Sequence, residues 1–185
     1  MIIGNSVNAQ RDGFETQAQP IHAAALLEKD FTIQKENRQF WVSIVAEGQD
    51  TLFNLSDEQK LTLQMNSGKA LLHHLMVDSA SYFFTEAEEL INSQSKKLAY
   101  LRMEIADAWY DRGLYQKSLE YLFQALEGLE KMEDQKGIAI CEARIGDVLD
   151  LLEQWDESIL YFNRAISKQK EIGASSDLAK SYQMM

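Results

Sequence analysis

With an offset of 40 residues, the stretch from Leu98 to Gly128 falls on the stretch from Ile138 to Lys168. Leu98-Ala99 meets Ile138-Ala139, and Ile105-Ala106-Asp107 meets Ile145-Gly146-Asp147. Tyr115 meets Trp155, Ser118-Leu119 meets Ser158-Ile159, Tyr121-Leu122 meets Tyr161-Phe162, and Ala125-Leu126 meets Ala165-Ile166. A fixed period of this size means stacked supersecondary units rather than one core drawn from the whole chain. Stacks of this kind chiefly bind other chains.

Composition narrows the partner. The 29 acidic residues outnumber the 18 basic ones, for a net charge of −11. Phosphates repel such a surface, which argues against nucleic acid and anionic membranes and leaves a basic partner open. The plainer reading of the charge is solubility. Pro20 is the only proline, so little interrupts long helices. No apolar run approaches the ~20 residues of a membrane span, so no membrane insertion is expected. Cys141, the only cysteine, falls on Leu101 in the repeat and reads as a buried small hydrophobe rather than a nucleophile. At the N-terminus, Val7-Asn8-Ala9 places small residues where a signal peptidase cuts, but a full charged and apolar leader is missing. Export through the remnant of a signal and a disordered polar N-terminus both remain open, and so does the compartment.

The chain divides into a flexible segment over 1–19 and a helical domain over 20–185. Within the domain, 20–56 reads as two helices broken near Lys35 to Asn37, with a hairpin through Phe31 to Val45 as the alternative. Ser56 and Gln59 form a capping box. The helix it opens runs from Asp57 to about Leu75, and a second runs from Ser79 to Ile91. These make a degenerate repeat over 57–97. The repeat over 98–137 follows, with helices from about Lys97 to Arg112 and from Tyr115 to Met132. The repeat over 138–177 has helices from about Gly137 to Leu152 and from Trp155 to Ile172. A truncated helix begins at Leu178 and fills 178–185.

The spacing inside the units resembles that of tetratricopeptide repeats. Small residues stand at Ala106 and Gly146 in the first helix, and at Ser118, Ser158, Ala125 and Ala165 in the second. Large residues stand between them at Trp109, Leu149, Tyr115, Trp155, Leu122 and Phe162. With an offset of 38, Gly68, Leu71, Ala80, Phe84 and Ala87 fit the same pattern. The proline that often closes such units is absent. The runs Glu130 to Ala139 and Lys170 to Tyr182 resemble the inter-repeat segments of 40-residue arrays in bacterial signalling proteins, notably of Bacteroidetes type. The resemblance implies an all-α, right-handed superhelix of antiparallel helix pairs. It also implies a protein-interaction scaffold or sensory module, expected to be part of a larger signalling protein.

In the tetratricopeptide pattern the groove-facing positions fall at Tyr100, Met103, Asp107, Tyr110 and Asp111. In the next unit they fall at Ile140, Ala143, Asp147, Asp150 and Leu151, and in the earlier one at Thr62, Met65, Asn66, Lys69 and His73. Repeats that clamp a C-terminal carboxylate carry Lys, Asn and Arg at these places, and here Asp107, Asp111, Asp147 and Asp150 replace them. The expected site is therefore Met103, Asp107, Tyr110, Asp111, Ala143, Asp147 and Asp150, and the expected partner is a protein or peptide of basic or mixed character. An unused, solvated surface explains the aspartates equally well. His73 and His74 point about 100° apart on a helix and do not share a metal easily. No phosphate loop, nucleophile elbow or paired nucleophile and base occurs, so neither catalysis nor a cofactor is expected of this segment. Two other readings stay open. One is the regulatory end of a histidine kinase or nucleotide cyclase whose catalytic domain lies elsewhere. The other is self-association through the truncated C-terminal helix.

Overall fold

A computed structural model describes residues 45–46 and 55–173. Among these residues the secondary structure is helical, with no strand. The six helices are α1 (Asp57–His73), α2 (Val77–Glu89), α3 (Lys96–Tyr110), α4 (Tyr115–Lys131), α5 (Gln135–Leu151) and α6 (Trp155–Glu171). The expected hairpin or helix pair over 20–56 lies outside the described residues, apart from helical Val45 and Ala46 and the approach to α1. The N-terminal segment and the truncated helix from Leu178 also lie outside them.

The two helices of each pair start differently. Those that open a pair carry side-chain caps. The Gln59 amide donates to Ser56 Oγ (3.3 Å), and the Ser56 amide donates to Gln59 Oε1 (3.0 Å), completing the capping box. Ser95 caps α3 through the Leu98 amide, and Asp134 caps α5 through the Gly137 amide. The second helices start at Met76, Leu114 and Gln154 with no side-chain cap. There the preceding turn is closed by the backbone alone, a closure that α5 has in addition to its cap, through the Asp134 amide on the Leu129 carbonyl with Glu133 at positive φ. The Met76, Leu114 and Gln154 amides each reach back five residues, to the carbonyls of Leu71, Trp109 and Leu149, at 3.1, 3.0 and 2.9 Å. This bond satisfies a carbonyl that the ending helix would leave bare. It needs one residue with positive φ, supplied by Leu75, Gly113 and Glu153 at equivalent places.

Helices pack in sequential pairs, α1 on α2, α3 on α4 and α5 on α6, and α4 lies along α5. The opening helices also touch one another, α1 with α3 and α3 with α5. Close approach within a pair depends on one size match. A Cβ built on Gly68 would come within 2.5 Å of the Phe84 ring, and one on Gly146 within 2.9 Å of the Phe162 ring. In the middle pair the equivalent residues are Ala106 and Leu122, both buried. Where the second helix carries a ring the first has no side chain, and where it carries leucine the first has a methyl group. The total volume at each crossing is thus conserved.

Helix α3 serves two cores. Leu98, Leu101, Ile105, Ala108 and Trp109 join α1, α2 and Val45, and Trp109 meets Phe84 edge-to-face at 5.5 Å. Ala99, Met103 and Ala106 join α4 and α5. Trp155 departs from its expected packing position. It is 62% exposed, whereas Phe162 is buried. Its counterpart Tyr115 leans on the Tyr110 ring at 5.7 Å, but position 150 is an aspartate and gives Trp155 no ring to lie on.

Candidate binding face on the opening helices

Helices α1, α3 and α5 present three hollows in series. The first, of about 270 Å³, lies between α1 and α3, with Thr62, Asn66, Lys69 and Glu104 in its wall. The second, of about 420 Å³, shares Lys69 and Glu104 and adds His73, Asp107, Asp111 and Arg112. The third, of about 180 Å³, shares Asp107 and adds Tyr110, Ser118, Leu122, Arg144, Asp147 and Val148. Shared walls make the three hollows one continuous face.

Of the expected site residues, Asp107, Tyr110, Asp111 and Asp147 line these hollows. Asp150 is exposed one turn beyond Asp147, and Ala143 is half-buried on the same helix. Met103 must be corrected. It is 2% exposed and sits in the α3–α4–α5 core, so it offers no surface to a ligand. The spacing explains this: Ala99, Met103 and Ala106 lie four and three residues apart and form one helical stripe, the one turned toward α4. Tyr100 also serves a different end, because its hydroxyl donates to Asp134 Oδ2 at the turn before α5 (3.3 Å).

Two cations balance carboxylates on this face, Lys69 at an expected groove position and Arg144 outside the expected set. Arg144 Nη2 lies 3.1 Å from Asp107 Oδ2, and Lys69 Nζ lies 2.6 Å from Glu104 Oε1. Each pair ties one opening helix to the next, so this face carries alternating charge rather than plain negative charge. The sequence holds the signal in the earlier unit, where Lys69 falls on a groove position. Arg144 stands one residue past the groove position at Ala143, which hides it from the pattern. Asp147 makes no ion pair of its own among the described residues, and burial, reinforced by Asp150 and opposed by Arg144, pushes its carboxyl up to about 6. Asp107 is also raised, by burial, although Arg144 opposes the shift.

Other groups bear on packing. The Cys141 thiol donates to the Leu122 carbonyl (3.3 Å), and burial pushes it up to about 12, which keeps it protonated and unreactive. The rings of His73 and His74 meet edge-to-face at 5.0 Å. Among the described residues no group of three His, Cys, Asp or Glu is placed to hold a metal ion, and no helix is long and apolar enough to cross a membrane. Glu142, fully buried, was not foreseen from the sequence. Its partner is Arg164 of α6 at 2.7 Å, and burial raises its carboxyl while Arg164 opposes the rise.

No protein-family model, curated protein or solved structure matches this chain.

Proposed function

We propose that this chain is a tetratricopeptide-type binding module, a right-handed superhelix of helix pairs that holds a peptide or partner segment along α1, α3 and α5. The observation that carries the reading is the row of three hollows with shared walls along the opening helices, the third floored by Ser118 and Leu122 of α4. Alternating ion pairs on that face favour a ligand of mixed charge with a basic excess, because Asp111, Asp147 and Asp150 remain without an ion pair among the described residues. The module carries no catalysis of its own and acts within a larger signalling protein, of the bacterial kind its inter-repeat segments resemble.

The test is a titration of the chain with a panel of helical and extended peptides that differ in charge. Basic, partly apolar peptides should bind best and weaken as salt rises. Reversing two exposed carboxylates, Asp111→Lys with Asp150→Lys, should weaken those peptides about tenfold or more while the helical content stays unchanged. Binding that is indifferent to both charge and salt would refute the reading.

A further inference from the structure

The third hollow has a polar floor with no partner. Ser118 lines it, is 1% exposed, and its hydroxyl has no hydrogen-bond partner. The repeat shows what this hydroxyl would otherwise do. Ser158, its counterpart 40 residues on, donates to the Gly146 carbonyl across the α5–α6 crossing at 2.9 Å. Ser118 makes no such bond, so a buried polar group is left unsatisfied, and native structures rarely leave one so without reason. Asp147 lines the same hollow, half-buried and without an ion pair among the described residues. Asp107 is there too but is already engaged by Arg144. Leu122, Val148 and the Tyr110 ring form the apolar part of the wall.

We propose that this hollow is a subsite for one lysine side chain of the bound partner, with the ammonium between Asp147 and Ser118 Oγ and the methylene stem along Tyr110, Leu122 and Val148. The inference rests on the reading that this face binds peptide, and it names which side chain the face selects. An ammonium is a compact charge with three donors, and the hollow offers one uncommitted carboxylate, one free hydroxyl and an aromatic ring. A guanidinium carries five donors in a rigid fork and would lie beside Arg144, leaving several donors unpaired. The hollow of about 180 Å³ takes the tip of one side chain and no more. The raised carboxyl of Asp147 agrees with this, since it marks a charge held partly out of water that Arg144 only partly offsets.

The probe is Nα-acetyl-lysine N-methylamide, titrated into the full chain and followed by amide shifts. Its norleucine and arginine analogues serve as controls. Saturable shifts confined to residues 107–122 and 143–150 are expected with the lysine probe, weaker ones with arginine and none with norleucine. Asp147→Asn and Ser118→Ala should each weaken the lysine probe about fivefold, the worth of one hydrogen bond or ion pair. Ser118→Ala removes only an unused hydroxyl, so it keeps the test valid if the aspartate variant fails to fold. Equal shifts from norleucine, preference for arginine, or indifference to both substitutions would overturn the subsite. A peptide that binds the face with no dependence on its lysines would overturn it too, and would leave the peptide-binding reading intact. Saturation by the lysine probe with no binding by any peptide would do the reverse.

Discussion

At the scale of residues, the small positions were the most legible. Gly68, Ala106 and Gly146 each stand 16 residues before the side chain that fills their crossing, and that spacing is visible in the sequence before any fold is known. Charge was less legible, because pairing depends on which residues of different helices come within a few ångströms. Arg144 and Asp107 are 37 positions apart and nothing in their neighbourhoods announces the contact. Glu142 was illegible for the same reason, since a lone glutamate in a helix usually faces water. Asp147 gives a prediction at this scale. In the folded chain it takes up a proton near pH 6, but in the unfolded chain only near its ordinary value of 3.8. Between those values the folded state binds the extra proton, so stability rises as pH falls through 6 and is lost as pH rises. Asp107 and Glu142, also raised, act in the same direction. Asp147→Asn should raise the melting temperature at pH 7.5, by an amount worth on the order of 1 kcal/mol once solvent screening is allowed for. It should also flatten the profile between pH 4 and 6. Thermal melts across that range test this, and an unchanged slope would refute it.

At the scale of elements, the caps at Ser56 and the glycine stop at Gly113 could be read from residue type alone. The turns at Leu75 and Glu153 could not, because leucine and glutamate give no sign of a left-handed backbone. They adopt φ of 58° and 59° because the five-residue backbone bond of each turn demands it, where Gly113 reaches 70° freely. A side chain held there costs about 1–2 kcal/mol. Glu153→Gly should therefore stabilise the chain by about 0.5–1 kcal/mol, part of the relief being offset by glycine's freedom when unfolded. Gly113→Glu should cost a similar amount. Urea melts with unchanged slope are the measurement, and a destabilised Glu153→Gly would count against the shared turn geometry. Elements also explain the failure at Trp155. A repeat predicts that equivalent residues meet equivalent neighbours, and here the neighbour at 150 is an aspartate where the earlier unit has Tyr110.

At the scale of the whole molecule, packing is between neighbours, and the seams are unequal. Helix α4 lies along the length of α5, but α2 meets α3 only slightly. Helix α3 alone gives buried residues to both cores, and Tyr121 of α4 packs against both. An array bound only to its neighbours opens in stages, so amide exchange should be slowest in α3, α4 and α5 and faster in α1, α2 and α6. Uniform protection across all six helices would refute this order. The expectation of stacked units came from the 40-residue period. The inequality of the seams did not, since it depends on how the degenerate 38-residue spacing seats α2. The row of hollows acquires a further meaning in such a chain. Their walls come mainly from α1, α3 and α5, one helix from each pair, with Ser118 and Leu122 of α4 joining the third. An occupant lying across them would be a strut fastened to three units that otherwise hold only the next in line. Its arrival would convert a chain that yields link by link into one that yields as a whole, so that occupancy at one face is registered as stiffness along the entire length.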